Sequence, residues 1–488
     1  EAGQVRRAAK LAAGCLRFWD KVVSGDLEAD MERDKPLCMY GFGLLFGATR
    51  VPQVGRDQLE TNFKRRHIVV LCNHQVFRVE AMTPDGRAIS PDKLEAILEQ
   101  IKAKAESQPG DPDSDVGVLT AQERDSWAKL RAAIAESGEP NRATLEAIDD
   151  CLFAIALDST NCTNAHEVSQ RMLSGGDGTT RWFDKHNIIA TADGALGMNF
   201  DHTFGDGLTW NRMLSEVWAD INGTRSPFAA LPAADDAFAG SWTQLNWDLP
   251  AAVKSEMRSA RRKAADLAGD VDFYSLEFGD FGRNRMKEMK MSPDAVCQMA
   301  FQLAFARLHG KPAAVYESCA MKNFFHGRTE TIRSCTTDMA AMMKTFLNDG
   351  TDDAKRAALQ AAAKTHVEVA KGAKAAVAGP YQGVDRHLHA MKCLAAERGV
   401  KVPFYEDPMY AASATWRLST SNVTAPFIRL FGFGPVTGNG YGLGYMTQPE
   451  SVPVNVSSFK SGQTDATRSE KMGEAITQTL RDFDRLFK

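Results

Sequence analysis

Apolar residues recur along this chain at two different spacings, one typical of helices and the other typical of strands. Residues 5–22 place apolar side chains at every third or fourth position, which predicts an amphipathic helix. Residues 66–81 contain two apolar runs separated at Asn73, which predicts two strands joined by a turn. Residues 292–310 return to the helical spacing and carry capping residues at both ends. Strand and helix patterns alternate in both halves of the chain, so we predict a mixed α/β fold.

The segment 186–202 contains two apolar runs around Asp193 and Gly194, a pair of residues typical of a tight hairpin turn. Its second run alternates, which predicts one strand face formed by Leu196, Met198, Phe200 and His202. An apolar helical stripe from Trp210 to Ile221 follows and predicts a helix packed on the core. Residues 416–422 and 440–459 predict further strands, the latter as a glycine-rich hairpin.

A chain of 488 residues exceeds what one hydrophobic core ordinarily supports, so we expect two domains. The composition changes near residues 231–242, and we predict domains 1–241 and 242–488. Whether residues 1–30 pack on the first or the second domain is left open. An alanine-rich helix is predicted over 352–378 in the second domain.

Charge and composition argue against several classes of protein. With 58 basic and 62 acidic residues the net charge is −4, which gives no indication of a nucleic-acid partner. No apolar run approaches the roughly 18 residues that a membrane-spanning helix needs. Nine cysteines without a C-x-x-C pair indicate neither a disulfide framework nor a zinc site, and they fit a reducing compartment. The chain begins at Glu1 rather than Met, so we expect a preceding segment, and any targeting signal in it, to be missing.

His202 is the first candidate for chemistry, because it ends an apolar strand pattern and Asp206 follows four residues later. From the residues alone two interpretations stay open. A histidine on an apolar strand face is most often a packed core residue, whereas at a strand end it can act as a general base near neutral pH. Asp206 directly precedes a helix pattern, so it is either an N-cap, holding the turn, or a group that orients the imidazole.

Several further segments favour the catalytic interpretation. They are residues 35–59, 119–131, 181–194, 202–207, 290–305, 316–334, 385–392, 418–422 and 432–445, and they include "HTFGDG", "YESC", "GRTETIRS" and "LSTSN". Together and in this order they resemble the carnitine/choline acyltransferase family over nearly the whole chain. The resemblance implies two chloramphenicol-acetyltransferase-like α/β domains, each a mixed sheet covered by helices, with an active-site tunnel between them.

The same resemblance implies the catalytic roles. His202 is the general base that deprotonates the carnitine hydroxyl as it attacks the CoA thioester directly, an effect worth about 10²–10⁴-fold. Ser421 occupies the position of the oxyanion donor, and Asp206, Ser419 and Thr420 are structural or orienting residues. Without the resemblance, the Ser-Thr-Ser run is more simply interpreted as a strand with surface hydroxyls.

The implied carnitine ligands are Tyr316, Thr329 and Arg386 for the carboxylate, with Phe433 bordering the trimethylammonium group. A guanidinium with two hydroxyls suits a planar anion. Arg386 taken alone is also compatible with a surface charge on a helix. Because choline lacks the carboxylate, the three matching residues argue against choline as the acceptor.

The implied CoA ligands lie in residues 282–294. Arg283 and Lys287, four positions apart, match the family's basic pair at the 3′-phosphate, and Asp294 matches its adenine contact. The simpler interpretations are a solvated basic helix face for the pair and a helix-dipole complement for Asp294.

These features together predict a carnitine O-acyltransferase that moves a fatty acyl group reversibly between CoA and carnitine. We expect no metal and no bound cofactor, since acyl-CoA and CoA are substrates. The alternatives are a CoA-dependent acyltransferase for another alcohol such as choline, and a non-catalytic acyl-CoA or carnitine-binding protein. The resemblance implies a mitochondrial location on the matrix side, the C-terminus is not a peroxisomal signal, and peripheral membrane association is left open.

Acyl-chain length is where the sequence departs from the long-chain members that it most resembles. Those members carry two glycines before the phenylalanine of a "GGF" segment, and the first leaves room for an acyl tunnel, which short-chain members fill with a methionine. In this chain Phe431 occupies that position, ahead of Gly432 and Phe433. We therefore predict short or medium acyl groups, unless small residues elsewhere reopen the tunnel.

Overall fold

The computed structural model describes residues 3–375 and 383–488. The chain forms two compact units, Glu1–Gly269 and Asp270–Lys488. Each unit is built on one six-stranded mixed sheet covered by helices, which confirms the predicted fold class.

Regular elements are distributed over both units. The helices of the first unit are α1 (Gln4–Val23), α2 (Pro91–Ser107), α3 (Arg124–Glu136), α4 (Glu139–Asp149), α5 (Ala165–Ser174), α6 (Gly207–Ile221) and α7 (Ala251–Asp270). Its strands are β1 (Met31–Glu32), β2 (Lys35–Pro36), β3 (Ala48–Val51), β4 (Gln58–Thr61), β5 (His67–Cys72), β6 (Gln75–Glu80), β7 (Ala154–Asp158), β8 (Asn187–Thr191), β9 (Leu196–Asn199) and β10 (Ser241–Leu245).

The second unit continues the numbering. Its helices are α8 (Arg283–Glu288), α9 (Pro293–His309), α10 (Thr337–Leu347), α11 (Asp352–Ala375), α12 (Asp385–Glu397), α13 (Pro408–Ser413) and α14 (Ser469–Arg485). Its strands are β11 (Val271–Phe278), β12 (Val315–Ala320), β13 (Thr329–Ile332), β14 (Leu418–Asn422), β15 (Tyr441–Tyr445) and β16 (Val452–Phe459). Short 3₁₀ helices span Tyr40–Leu44, Pro112–Ser114, Val116–Ala121, Pro403–Glu406, Lys460–Gly462 and Asp465–Thr467.

The first sheet has the strand order β10-β6-β5-β7-β8-β9, with β5, β7 and β8 parallel and the other pairs antiparallel. The predicted pair of strands around Asn73 is confirmed as the β5–β6 hairpin. Asn73 and His74 both have positive φ, 48° and 63°, as a two-residue hairpin turn requires. The predicted helix over 5–22 is confirmed as α1.

Both faces of this sheet are apolar, as is typical of a sheet with parallel central strands. Ile68 and Val70 of β5 point into a cluster with α1, α2 and α6. Val69 and Leu71 point into a second cluster with α3, α4 and α7. The sheet therefore serves as a largely apolar support, and its buried polar groups, such as Asp158 at the end of β7, are paired with other protein groups.

Helix α1 packs within the first unit, against α2 and α6. Its approach to α6 is close, because a Cβ atom at Gly14 would lie 2.5 Å from Cγ1 of Val217. A larger residue at position 14 would push the two helices apart.

The boundary between the units differs from the predicted one at 241/242 and lies at 269/270. Strand β10 pairs with β6 in the first sheet, and α7 adds Val253 and Met257 to the same core as Val69. The composition change near 231–242 therefore marks a loop before the last strand of the first sheet.

The second sheet has the order β11-β16-β15-β14-β12-β13, with β12, β14 and β15 parallel and the other pairs antiparallel. Its apolar face packs on α9, α10, α11 and α14. The predicted helix over 292–310 is confirmed as α9, with the Ser292 hydroxyl accepting from the Ala295 N–H and Gly310 at φ 67°. The alanine-rich helix is confirmed as α11 up to residue 375, and the predicted residues 376–378 lie outside the described part of the chain.

The opposite face of the second sheet carries polar residues and glycines. Leu418, Leu443 and Val456 point into the apolar core, so the residues that alternate with them point the other way. We call this side the polar face, and it is formed by Tyr316, Ser419, Ser421, Gly442, Gly444, Asn455 and Ser457.

Candidate active site

His202 lies in a turn beyond β9 rather than on that strand. Strand β9 ends at Asn199, so the predicted strand face that included Phe200 and His202 is wrong at its C-terminal end. The chain leaves the sheet there because its next residues turn toward α6. The His202 side chain is 80% exposed, which also excludes the packed-core interpretation.

Asp206 occupies the N-cap position of α6, but its side chain makes no capping hydrogen bond. Its Oδ1 lies 3.6 Å from Nδ1 of His202. This is longer than a hydrogen bond, yet such pairs commonly tighten when substrate binds. With Nδ1 directed toward a carboxylate, Nε2 is the nitrogen suited to accept a proton from a substrate.

The residue before His202, Asp201, is held from several sides. Its carboxylate is 6% exposed and lies 3.0 Å from Nη1 of Arg50, and its other oxygen accepts from the main-chain N–H of Thr203 at 2.8 Å. Its own main-chain N–H donates to Nδ1 of His186 at 3.3 Å. The turn that carries His202 is thus fixed on both sides of the imidazole.

His186 is buried among aromatic rings. Its ring centroid lies 4.8 Å from Phe204 and 4.2 Å from Trp210. Burial, reinforced by Lys185, holds the pKa of His186 well below its usual range, so the ring is neutral. Since Nδ1 accepts a hydrogen bond, the proton is assigned to Nε2.

The Ser-Thr-Ser run forms β14, near the middle of the second sheet, and its three hydroxyls divide between the two faces. Thr420 is buried, donates to the main-chain oxygen of Tyr316 at 2.9 Å and accepts from Nε2 of Gln298 at the same distance. Ser419 and Ser421 point to the polar face. Ser419 and Thr420 are both buried, so these two hydroxyls are not surface groups.

The segment before β15 crosses the polar face at two glycines. A Cβ atom at Gly444 would lie 2.3 Å from the main-chain oxygen of Phe431, and one at Gly442 would lie 3.0 Å from that of Phe433. The hydroxyl of Ser457 donates to the same Phe433 oxygen at 2.7 Å. The glycines therefore allow Phe431 and Phe433, both half-buried, to lie against the sheet.

The structure brings Tyr316 and Thr329 together, since the Tyr316 hydroxyl donates to Oγ1 of Thr329 at 3.3 Å. Arg386 is bound by a different group, Glu330, which follows Thr329 on β13. Nη1 and the main-chain N–H of Arg386 lie 2.8 Å and 3.3 Å from Oε2 of Glu330. Nη2 of Arg386 is buried without a hydrogen-bond partner among the described residues. Arg386 is therefore no simple surface charge, and it retains a donor for a further acceptor.

Glu330 was not found by sequence reasoning, although it lies inside a quoted motif. Its side chain is 1% exposed, and its Oε1 accepts from the main-chain N–H of Thr331 at 2.8 Å. Gly383 makes room for it, because a Cβ there would lie 2.5 Å from Cγ of Glu330. A buried carboxylate needs a cationic partner, and this requirement points to Arg386 only once the fold is known.

The predicted CoA residues lie on α8, with Arg283 at its start and Lys287 near its end, and at the start of α9, with Asp294. Lys287 is exposed and Arg283 half-exposed, and within the described part of the chain neither side chain forms an ion pair. Asp294 is engaged instead, because its Oδ1 accepts from the hydroxyl of Tyr445 at 2.6 Å and from Nδ2 of Asn422 at 3.2 Å. Asp294 is thus more than a helix-dipole complement.

Asp294 belongs to a cluster that sequence reasoning also missed. Glu317 lies 2.8 Å from Nε2 of His366, and ligand-type atoms of Asp294, Glu317 and His366 all lie within 4.8 Å of one another. Burial raises the pKa of Glu317 to about 7. Burial alone would lower the pKa of His366, but the Glu317 charge raises it. These residue types also bind divalent cations, and in this structure Glu317 and His366 are hydrogen-bonded to each other.

No helix in 3–375 or 383–488 combines the length and the apolar character needed to cross a bilayer.

Residues 1–478 match the sequence pattern of the family described as Choline/Carnitine o-acyltransferase. The chain therefore belongs to the choline/carnitine O-acyltransferase family.

Individual relatives agree with this assignment. The chain is 35% identical over 429 residues to carnitine O-palmitoyltransferase 2, mitochondrial, from Homo sapiens, covering 87% of the chain and 64% of that protein. It is 30% identical over 515 residues to carnitine O-acetyltransferase from Rattus norvegicus, covering 100% of the chain and 78% of that protein. The chain thus spans 64% of the length of these palmitoyltransferase relatives.

Among solved structures, the wax ester synthase/diacylglycerol acyltransferase from Marinobacter aquaeolei VT8 matches with a TM-score of 0.34 and 12% identity, covering 68% of this chain and 79% of that one. A TM-score this low is too small to support an inference about fold or function.

Proposed function

We propose that this chain is a carnitine O-acyltransferase, which transfers an acyl group reversibly between CoA and the hydroxyl of carnitine. The observation that carries the proposal is the geometry of His202, an exposed imidazole with Nδ1 directed at the Asp206 carboxylate, in a chain of this family. A secondary alcohol is a poor nucleophile until a positioned base takes its proton. His202 Nε2 would be that base.

In the proposed reaction, the carnitine oxygen attacks the thioester carbon while its proton passes to His202. The C–S bond then breaks, and the proton goes to the departing CoA sulfur, so that the imidazole is restored. Ser421 would stabilise the oxyanion, because its hydroxyl lies on the polar face of a central strand. The charged trimethylammonium group of carnitine would add to that stabilisation, with Phe433 beside it.

Carnitine is preferred over choline as the acceptor because of the donors near β13. The Tyr316–Thr329 hydroxyl pair and the remaining Nη2 of Arg386 are groups suited to a carboxylate. Arg283 and Lys287 would bind the 3′-phosphate of CoA, and Asp294 its adenine. The names of the palmitoyltransferase relatives support a mitochondrial location, and we extend this to the matrix side.

The acyl group is proposed to be short or medium in length. Phe431 is half-buried against β15, and an aromatic ring at this position would shorten a tunnel that runs along the polar face. The relatives include both a palmitoyltransferase and an acetyltransferase, so family membership does not decide between the lengths.

The test varies both the acyl-CoA and the acceptor, with the wild-type chain as the enzyme. Acetyl-, octanoyl- and palmitoyl-CoA are each incubated with carnitine, with choline or without acceptor, and acyl ester and free CoA thiol are both measured. We expect acyl-carnitine and thiol in equal amounts, with choline far less active. Choline use equal to carnitine use would support another alcohol acceptor, and binding without turnover would support a non-catalytic binder.

A further inference from the structure

The turn that carries His202 is connected to a chain of alternating charges, which we call the anchor network: Asp201, Arg50, Asp57, Arg124 and Asp184. Arg50 bridges Asp201 and Asp57, at 3.0 Å and 2.7 Å. Arg124 bridges Asp57 and Asp184, at 2.7 Å and 2.6 Å. The network ends where the indole of Trp127 donates to Asp184 at 2.7 Å.

The members of the anchor network come from separate parts of the first unit. Arg50 lies on β3, Asp57 just before β4, Arg124 at the start of α3, and Asp184 shortly before β8. The Arg50 main-chain N–H also donates to the main-chain oxygen of Asp184 at 3.1 Å. Several elements are therefore linked, through Arg50, to the carboxylate that precedes His202.

Burial alone would lower the pKa of Arg50, but the carboxylates of Asp201 and Asp57 raise it. Arg50 is thus held charged between two anions, at a site where its side chain is only 28% exposed. Partly buried, bridged ion pairs of this kind impose a fixed geometry, which isolated surface pairs do not.

His202 needs such an anchor more than a packed residue does. Its side chain is 80% exposed, so packing covers only a small part of it. The direction of an exposed side chain depends on its backbone, and a displacement of about 1 Å can cost about 100-fold in rate. Asp201 fixes that backbone through its carboxylate and its N–H together.

We propose that the Arg50–Asp201 ion pair positions His202 for proton transfer, and that it acts on turnover rather than on substrate affinity. The proposal rests on the proposed function, in which His202 is the general base. Arg50 and Asp201 are positioning residues, because they act through the turn and do not themselves touch the reacting atoms.

The variants for the test are Arg50→Gln, Asp201→Asn and the double substitution, with Arg50→Lys as the conservative change. Asp201→Asn retains an oxygen for the Thr203 N–H and the main-chain bond to His186, so that it removes chiefly the charge. The matched control is Arg78→Gln, because Arg78 forms an ion pair of 2.6 Å with Glu80 in the same unit, away from the turn. Steady-state kinetics are combined with hydrogen exchange, read by mass spectrometry on peptides that contain residues 200–206, without substrate.

We expect kcat to fall about 10- to 100-fold in both single variants, while KM for carnitine and for the CoA ester stays within about threefold. The double variant should lose no more than either single one, because the two side chains act as one pair. Arg50→Lys should recover part of the rate. Exchange in 200–206 should accelerate in Arg50→Gln and Asp201→Asn, and in Arg78→Gln both kcat and exchange should match wild type.

Unchanged exchange in 200–206, unchanged kcat, or an additive double variant would overturn the proposal. A loss confined to KM would overturn it as well, since it would indicate a binding role. A wild-type chain without transferase activity would overturn the proposed function instead, and hydrogen exchange would then still decide whether the ion pair orders this turn.

Discussion

The two sheets follow the same sequence of pairings: antiparallel, antiparallel, parallel, parallel, antiparallel. Their corresponding central strands nevertheless differ in chemistry. Strand β7, with the sequence AIALD, is buried and apolar on both faces up to Asp158. Strand β14, LSTSN, places hydroxyls on both faces.

This difference indicates where each unit keeps its functional groups. A buried hydroxyl costs free energy unless it is hydrogen-bonded, and Thr420 is satisfied by Gln298 and by a main-chain oxygen. The second sheet therefore carries polar groups on the strands themselves. On β7 of the first sheet the one polar side chain is Asp158 at the strand's end, paired with Arg171 and Arg181, and the candidate base of this unit lies in a turn beyond β9.

The largest effect on carnitine binding is expected from replacing Arg386, which lies on α12 and binds Glu330 of β13 in the second sheet. Arg386→Asn should raise KM for carnitine by about two orders of magnitude while KM for the CoA ester changes little, because it removes the charged partner of the carboxylate. The same change also leaves Glu330 buried without its cation, which costs about 3–5 kcal/mol of stability.

A second variant separates these two consequences. Glu330→Gln combined with Arg386→Asn removes both charges, so stability should recover while KM for carnitine stays high. The measurements are initial rates with each substrate varied in turn, and urea unfolding. Equal effects of Arg386→Asn on both KM values would contradict the assignment of Arg386 to carnitine.

The pH dependence of stability should have opposite signs at two buried carboxyl groups, one in each unit. Because folded Glu317 keeps its proton up to a pKa of about 7, against 4.5 for the unfolded chain, its contribution to stability falls as pH rises from about 4.5 to about 7. For Asp158, burial alone would raise the pKa, but Arg171 and Arg181 lower it to about 2, so its contribution is lost as pH falls from 3.8 toward 2.

Each contribution is measured as the difference in free energy of unfolding between wild type and a neutral variant. The wild-type advantage over Glu317→Gln should shrink by about 2–3 kcal/mol from pH 4.5 to pH 7. The advantage over Asp158→Asn should instead grow by about 2 kcal/mol from pH 2 to pH 4. If the wild-type advantage changed with pH in the same direction against both variants, the proposed difference between Glu317 and Asp158 would be contradicted.

A smaller effect is expected at α8. Arg283→Ala together with Lys287→Ala should reduce the preference for CoA over 3′-dephospho-CoA about tenfold, because two cations next to a phosphate are removed. Stability should stay unchanged, since both side chains are partly or fully exposed without ion pairs among the described residues. Replacing exposed Lys401 by Ala is the matched control. A double variant that still discriminates strongly would show that the phosphate binds elsewhere.

The smallest effect concerns the polar face near β15. Phe431→Gly should extend the accepted acyl length by a few carbons, since each methylene that enters an apolar space contributes about 0.8 kcal/mol. Competition between octanoyl- and palmitoyl-CoA measures the change, and Phe431→Leu serves as the control of intermediate size. Wild-type activity that already peaks with palmitoyl-CoA would contradict a closed tunnel.

Local patterns were sufficient to predict most elements of the fold. The hairpin turn at Asn73 and the caps at Ser292 and Gly310 depend on neighbouring residues alone, so they could be predicted from short segments. The domain boundary could not, because whether β10 belongs to the first sheet depends on its pairing with β6, far away in sequence.

The candidate site was predictable to a similar extent. His202 and Ser421 lie in short motifs, whereas Arg50 and Asp201 are 151 positions apart and Glu330 and Arg386 are 56 apart. No periodicity relates such pairs, since the fold alone brings them together. The end of β9 was misplaced for a related reason, because Asp201 leaves the alternating pattern to bind Arg50 and His186.

The most direct test of the account is the rate of acyl transfer by His202→Ala, measured with saturating carnitine and octanoyl-CoA. The side chain is 80% exposed, so its removal should leave urea unfolding unchanged, and His389→Ala, on exposed α12, is the matched control. We predict that kcat falls about 10²–10⁴-fold in His202→Ala while substrate binding persists and the control stays at wild-type rate. A folded His202→Ala variant that retained a kcat near that of wild type would contradict the role of His202 as the general base.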